Sequence, residues 1–296
     1  MRLNGIFLLA ILLCTTGVQA QTGMDEMKLK EIRAIEDSLL VTADSMYRAP
    51  LPETRLQFSA DFARQLVRAL KITNSWNYSF DRLDDKINVI TSPDKKWRMF
   101  NWDISPGGEG RRYYGAIQLP GENLKLYGLS DISLPTGVKG LEDSVFHNGR
   151  WLGALYYRVM PNSVNGETVY TLFGMNRSNL MSNMKLLEPM RITEQGPVFG
   201  APIFGRGSET SPGKPVQRFI LEYKKDAQVA LNWSDELNAI YFDHLESTVN
   251  DPNRKYTYVP EGQIDGFRWN GESWRFVDDL IPAQILQNGQ APVGGN

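Results

Sequence analysis

Chemistry in this chain has few places to reside, and its two histidines come first. His244 stands in IYFDHLES, where strand alternation puts it on the face of Ile240 and Phe242 with Asp243 opposite. A histidine ending an apolar face is more often a satisfied structural residue than a catalyst, and Asp243 with His244 is the polar site the sequence offers. His147 flanks Asn148-Gly149 and reads as a solvated hairpin residue. Two histidines cannot supply the three imidazoles of a His-rich zinc site, so no metal is expected. Paired acids occur at Asp84-Asp85, Glu142-Asp143, Asp235-Glu236 and Asp278-Asp279. Neighbours on a strand face opposite ways, so these pairs are not dyads by themselves. A polysaccharide hydrolase working through two acids would have to draw on Asp243, Glu222 or Asp278.

Other signatures fail on inspection. There is no Gly-x-Ser-x-Gly elbow. SPGGEGRR (105–112) lacks the lysine and helix that aim backbone amides at a phosphate, and Pro215 ends any such reading of Gly213-Lys214. DPNRKYTYVPEG begins like a calcium loop but lacks its central glycine and final glutamate. No cofactor is expected. Trp97, Trp102, Tyr113 and Tyr114 crowd around the glycine-rich loop, where flat rings could stack on sugars. Large aromatics are also the commonest filling of β-sheet cores, and that reading is favoured. PDKKWRMF, FHNGRWLG and FRWNGESWRF each place a tryptophan just after a turn, at unequal separations and with no fixed period between them. They read as hairpins. Asn-Gly suits the type I′ turn, and an aromatic after the turn pairs across the strands.

The first twenty residues form an address: Arg2, an apolar run over 6–14, and Val18–Ala20 as a small-residue cleavage site. Their loss would remove Cys14, the single cysteine, leaving no disulfide, thiolate ligand or cysteine nucleophile. No later apolar run reaches membrane-spanning length, so no transmembrane segment is expected once the signal is cleaved. A net charge of −2 gives no basic excess to release counterions, which argues against nucleic acid. The expected location is periplasmic or extracellular.

Apolar positions 32, 35, 39 and 46, then 58, 62, 66 and 70, predict two amphipathic helices broken by the prolines of APLP (49–52). From about residue 74 the period changes to that of strands. Strands are predicted at 86–91, 96–102, 112–119, 123–128, 151–160, 168–175, 184–192, 216–223, 228–233, 238–245, 263–269 and 273–277. RFILEY and QVALNW, joined by the polar KKDA (224–227), predict a hairpin, and 151–160 with 168–175 a central hairpin buried on both faces. The expected fold is mainly β: an antiparallel meander, sandwich-like or a degenerate propeller, preceded by an antiparallel helix pair. The expected division is 1–20 signal, 21–72 helical hairpin and 73–296 β domain.

In order, VYTLFGMN, GPVFGAPIF, RFILEYKKDAQVALNW, IYFDHL and IDGFRWNGESWRFVDD resemble a family of uncharacterised exported proteins from Bacteroidetes. SPDKKWRMFNWDIS and the helical start extend the resemblance over nearly the whole chain. It implies export from a Gram-negative cell and no established activity. A Trp-Asp-Gly-Asn type loop follows the corresponding strand in that family, whereas this chain reads Gly174-Met175-Asn176-Arg177. Together these readings point to a non-enzymatic exported protein whose partner is a glycan or an envelope protein. The hydrolase stands as the alternative.

Overall fold

The computed structural model describes residues 24–108, 110–133, 140–206 and 213–282; the expected signal segment lies outside them. Two helices lead, α1 (Glu26–Arg48) and α2 (Pro52–Leu70). The Asp25 carboxylate caps α1 by accepting from the Lys28 N–H at 2.9 Å, and Pro52 opens α2 where its missing N–H costs nothing. Strands follow: β1 (Asn88–Thr91), β2 (Arg98–Ile104), β3 (Arg112–Leu119), β4 (Lys125–Leu129), β5 (Phe146–His147), β6 (Leu155–Val164), β7 (Glu167–Asn176) and β8 (Ser182–Thr193). The rest are β9 (Gly196–Phe199), β10 (Phe204–Arg206), β11 (Gly213–Val216), β12 (Phe219–Lys224), β13 (Leu231–Ser234), β14 (Ala239–Ser247), β15 (Tyr258–Trp269) and β16 (Trp274–Val277). The protein is mainly β, with antiparallel-rich sheets behind an N-terminal helix pair, as its periodicities predict. Among the described residues no helix is long and apolar enough to cross a membrane.

Three sheets and the helix pair stack in layers, each pair of layers sharing one core. Sheet 1 runs β1-β2-β3-β4. Its Phe100, Trp102 and Ile104 pack under Ile32, Ile35, Leu39, Phe62 and Leu66 of the helices. The opposite face carries Met99 and Ile117, which meet Tyr170, Leu172 and Leu186 of sheet 2, ordered β5-β9-β8-β7-β6 with β12 added to β8. The alternate residues Val169, Phe173 and Leu187 face Phe204, Phe242, Phe267 and Trp274 of sheet 3, ordered β11-β10-β16-β15-β14-β13. β7 is therefore buried on both faces, which is why its sequence shows an apolar run instead of alternation. β6, expected to be central and buried on both faces like β7, is instead a largely half-exposed edge strand, and so tolerates Pro161. The backbone of its Tyr156 is satisfied from sheet 1: Asn88 donates to the carbonyl at 2.8 Å, and the N–H donates to Asn101 at 2.9 Å.

Two further local expectations fail for instructive reasons. RFILEY and QVALNW are not a hairpin: β12 pairs with β8 in sheet 2, while β13 pairs with β14 in sheet 3. The KKDA segment is an arch between facing sheets. Leu221 and Tyr223 reach the shared core from one side and Val229 and Leu231 from the other. Alternation and connection length are the same for an arch and a hairpin, so the sequence could not separate them. The type I′ turn is also absent from two of the tryptophan units. Neither Asn148 nor Gly149 enters the left-handed region, and at Asn270-Gly271 only the glycine does, with φ 101°. Instead the Asn270 Oδ1 accepts from the backbone of Glu272 and Ser273 at 3.0 and 2.9 Å. The true I′ turn is Asn165-Gly166, φ 51° and 81°, between the long paired strands β6 and β7, whose twist demands it.

Candidate functional site

The aromatic cluster singled out in the sequence faces inward. Trp97, Trp102 and Tyr113 are buried and Tyr114 half-buried. The Trp102 indole donates to Ser59 of α2 at 3.1 Å and stacks on Tyr114 at 5.6 Å, while Trp97 meets Tyr170 edge-on at 5.3 Å. The Tyr113 hydroxyl accepts from the Arg177 N–H at 2.5 Å. The three buried rings hold layers together and offer no open face to a sugar. Trp151 and Trp274 are buried as well, so the three post-turn tryptophans are core anchors.

Asp243 and His244 instead lie on a cleft of about 490 Å³ between sheets 2 and 3. A β-bulge puts them there. Asp243 pairs with Ile264 and Leu245 with Pro260, so His244 alone opposes Glu261, Gly262 and Gln263. Gly262 makes the bend with φ 103°. The bulge turns His244 toward Asp265: the imidazole Nδ1 lies 2.7 Å from a carboxylate oxygen that is almost wholly buried. An aspartate can only accept there, so the proton of the neutral ring belongs on Nδ1, and Nε2 looks out toward Glu261 at 3.9 Å. Asp265 also accepts from Gln263 at 2.7 Å and from the Asp279 N–H at 3.2 Å, and Gln263 reaches Asp278 at 2.9 Å.

No protein-family model, curated protein or solved structure matches the chain. The site must therefore be read from its own chemistry. Burial pushes the His244 imidazole down, but the hydrogen bond and charge of Asp265, with Glu261 and Glu246, outweigh it and hold the pKa above the usual 6.5. Because the folded state then binds this proton more tightly, the stabilisation is fully present below the unfolded pKa and lost as pH rises through the folded one. Asp265→Asn is expected to lower the His244 midpoint and flatten that pH dependence. A histidine NMR titration in a His147→Gln background checks this, and an unchanged midpoint would refute the role given to Asp265.

Glu142 and Asp143 line the other side of the cleft from the 3₁₀ turn Leu141–Asp143. Burial raises the Glu142 pKa, opposed by its ion pair with Arg206. The turn hangs from buried Arg218, which donates to the carbonyls of Leu141 and, at 2.8 Å, Ser144, and pairs with buried Glu188 at 3.0 Å. The floor is apolar, with Phe219, Leu221, Phe242 and Phe276. Of the three acids considered from sequence, Glu222 and Asp243 line the cleft and Asp278 is tied to Asp265 through Gln263. Glu222 accepts from Ser182 at 2.5 Å, and Asp243 from the Ala230 N–H at 2.6 Å. Sequence reasoning missed Asp265 and Glu261, and named Glu142 only as one of the paired acids that do not form a dyad by themselves. Gly262 lies just before the predicted strand 263–269, whereas β15 begins at Tyr258, so the glycine falls inside the observed strand and marks its bulge opposite His244.

The ligand atoms of His244, Glu246 and Glu261 lie within 4.8 Å of one another, as do those of His244, Asp265 and Asp278. The first trio could receive a cation on Nε2, since Asp265 occupies Nδ1. Among the described residues no serine, threonine or tyrosine hydroxyl hydrogen-bonds to the His244 ring, which bonds to the Asp265 carboxylate. The arrangement orients a histidine without a nucleophile beside it.

Proposed function

We propose that the protein is an exported, non-enzymatic glycan-binding protein whose ligand lies in the cleft between sheets 2 and 3. One observation carries this reading: half-buried Phe219, Phe276 and Tyr258 share the cleft with the carboxylates of Glu142, Asp143, Glu222, Asp243 and Asp265. Sugar rings present apolar C–H faces to aromatic side chains and hydroxyl donors to carboxylates, which only accept. The volume suits a small ligand. Export is supported by the tripartite first twenty residues and by the resemblance to exported Bacteroidetes proteins.

A second reading, hydrolysis by two acids, is favoured by Glu142, a carboxyl raised by burial in a cleft holding further carboxylates. A glycan array followed by product analysis of each bound sugar separates the two. Binding without products, weakened at least tenfold by Phe276→Ala, is the expected result. Released sugar that disappears in Glu142→Gln would establish the hydrolase instead, and no bound glycan would refute both.

A further inference from the structure

A second pocket, of about 740 Å³, opens where the 224–230 arch passes from sheet 2 to sheet 3. We propose that it is a binding site for a small organic oxyanion carrying two or more negative charges, recognised by Arg111, Arg177, Lys185 and Lys225. This site is independent of the glycan cleft.

Four cations converge here from separate parts of the chain. Arg111 comes from the β2–β3 loop, Arg177 from the β7–β8 loop, Lys185 from β8 and Lys225 from the arch. No positive run in the sequence brings them together, and the chain as a whole carries a net charge of −2. Among the described residues one carboxylate lines the pocket, Asp226, which lies 3.1 Å from Lys224, and Asp103 lies 3.5 Å from Arg111. Neither Arg177 nor Lys185 has a carboxylate at ion-pair distance among the described residues. Arg177 and Lys185 thus stand side by side in the pocket without an ion-paired carboxylate among the described residues, like charges whose mutual repulsion an entering anion would relieve.

The pocket is also built to hold its shape. The Arg177 N–H donates to the buried Tyr113 hydroxyl, and the Lys225 ammonium donates to the carbonyls of Arg177 and Asn179 at 3.3 and 2.6 Å. Asn183 secures the arch by donating to the Lys225 carbonyl at 2.9 Å. The backbone carrying Arg177 is fixed while its exposed guanidinium keeps a planar fork of N–H donors suited to paired oxyanion oxygens. Lys185 is half-buried with its ammonium 5.8 Å from the Tyr157 ring. Burial pushes its pKa down; Asp243 opposes this and Arg177 adds to it, consistent with crowded like charges. A concave site of this size fits a small molecule and not a polymer track.

Isothermal titration of the purified protein at low ionic strength tests the proposal, with inorganic pyrophosphate, citrate and a sulfated disaccharide as separate probes. These distinguish phosphoryl, carboxylate and sulfated-sugar sources of the same chemistry. At least one is expected to bind one-to-one, with affinity falling at least tenfold in Arg177→Gln and in Lys185→Gln but not in Lys30→Gln. Thermal midpoints confirm that each variant folds. Failure of all three probes to saturate at millimolar concentration, or equal binding by Arg177→Gln and Lys185→Gln, would overturn the assignment. Competition by an unsulfated disaccharide would also overturn it and return the ligand to the glycan cleft.

Discussion

Replacing Arg218 with alanine is expected to cost about 3–5 kcal/mol of stability, the range for breaking a buried ion pair from one side. Arg218 and Glu188 are both fully buried, and the guanidinium also serves the carbonyls of Leu141 and Ser144 and lies 4.5 Å from the centre of the Phe146 ring. Alanine removes all of these partners and leaves a carboxyl in an apolar layer. Burial already raises the Glu188 pKa against the pull of Arg218. Without the arginine the folded state holds that proton still more tightly, so stability falls as pH rises from the unfolded carboxylate pKa toward neutrality. The deficit should therefore be smaller in mild acid than at pH 7. Arg218→Met combined with Glu188→Leu should recover much of it, because a well-packed apolar pair needs no desolvation of charge. Urea denaturation at two pH values measures both effects. A loss under 1 kcal/mol in the single variant would show that the pair is not the anchor of the 141–144 turn. Glycan affinity should fall with Arg218→Ala as well, since Glu142 and Asp143 ride on that turn.

Trp274→Ala should destabilise by a similar amount, about 3–5 kcal/mol, as expected for emptying a fully buried indole site. Trp274 begins β16 and fixes three neighbours at once. Its backbone N–H donates to Ile203 at 2.7 Å, its ring meets Trp269 at 5.2 Å, and its indole N–H crosses to Thr171 of sheet 2 at 3.1 Å. Thr171 in turn donates to Asn162 at 2.8 Å, so the polar contact between the layers is satisfied on both sides. Alanine opens a cavity in the core shared by sheets 2 and 3. Trp269→Ala, at a half-exposed position, should cost clearly less. Denaturation midpoints for the two variants make the comparison. Were Trp274 a binding platform, its loss would reduce ligand affinity while leaving stability near that of the parent.

The elements themselves were legible in the sequence because their signals are local. The 3.6-residue stripe and the prolines of 49–52 place both helices, and period-two runs place most of the strands. The core reading of Trp97, Trp102 and Tyr113 was likewise favoured from residue type, and all three are buried. Asn-Gly was a weaker guide. Among the described residues it marks a turn at each occurrence, but positive φ at both positions is required only where two long strands must continue with matched twist, as at Asn165-Gly166.

Local pattern determined the class of structure, strands behind a helix pair, and put Asp243 and His244 on one of those strands, which runs on past its predicted end at 245 to Ser247. Tertiary structure decided which sheet each strand joins, since β12 and β13 have the pattern of a hairpin and yet pair in different layers. It also decided the sites. Asp265 meets His244 because β15 pairs with β14 so that Asp265 opposes Phe242, on the face His244 shares, and Arg111, Arg177, Lys185 and Lys225 share a pocket where the arch passes between layers. Periodicity reports the environment on either face of a segment. It carries no information about which distant segment supplies that environment, and both sites are made of such distant partners.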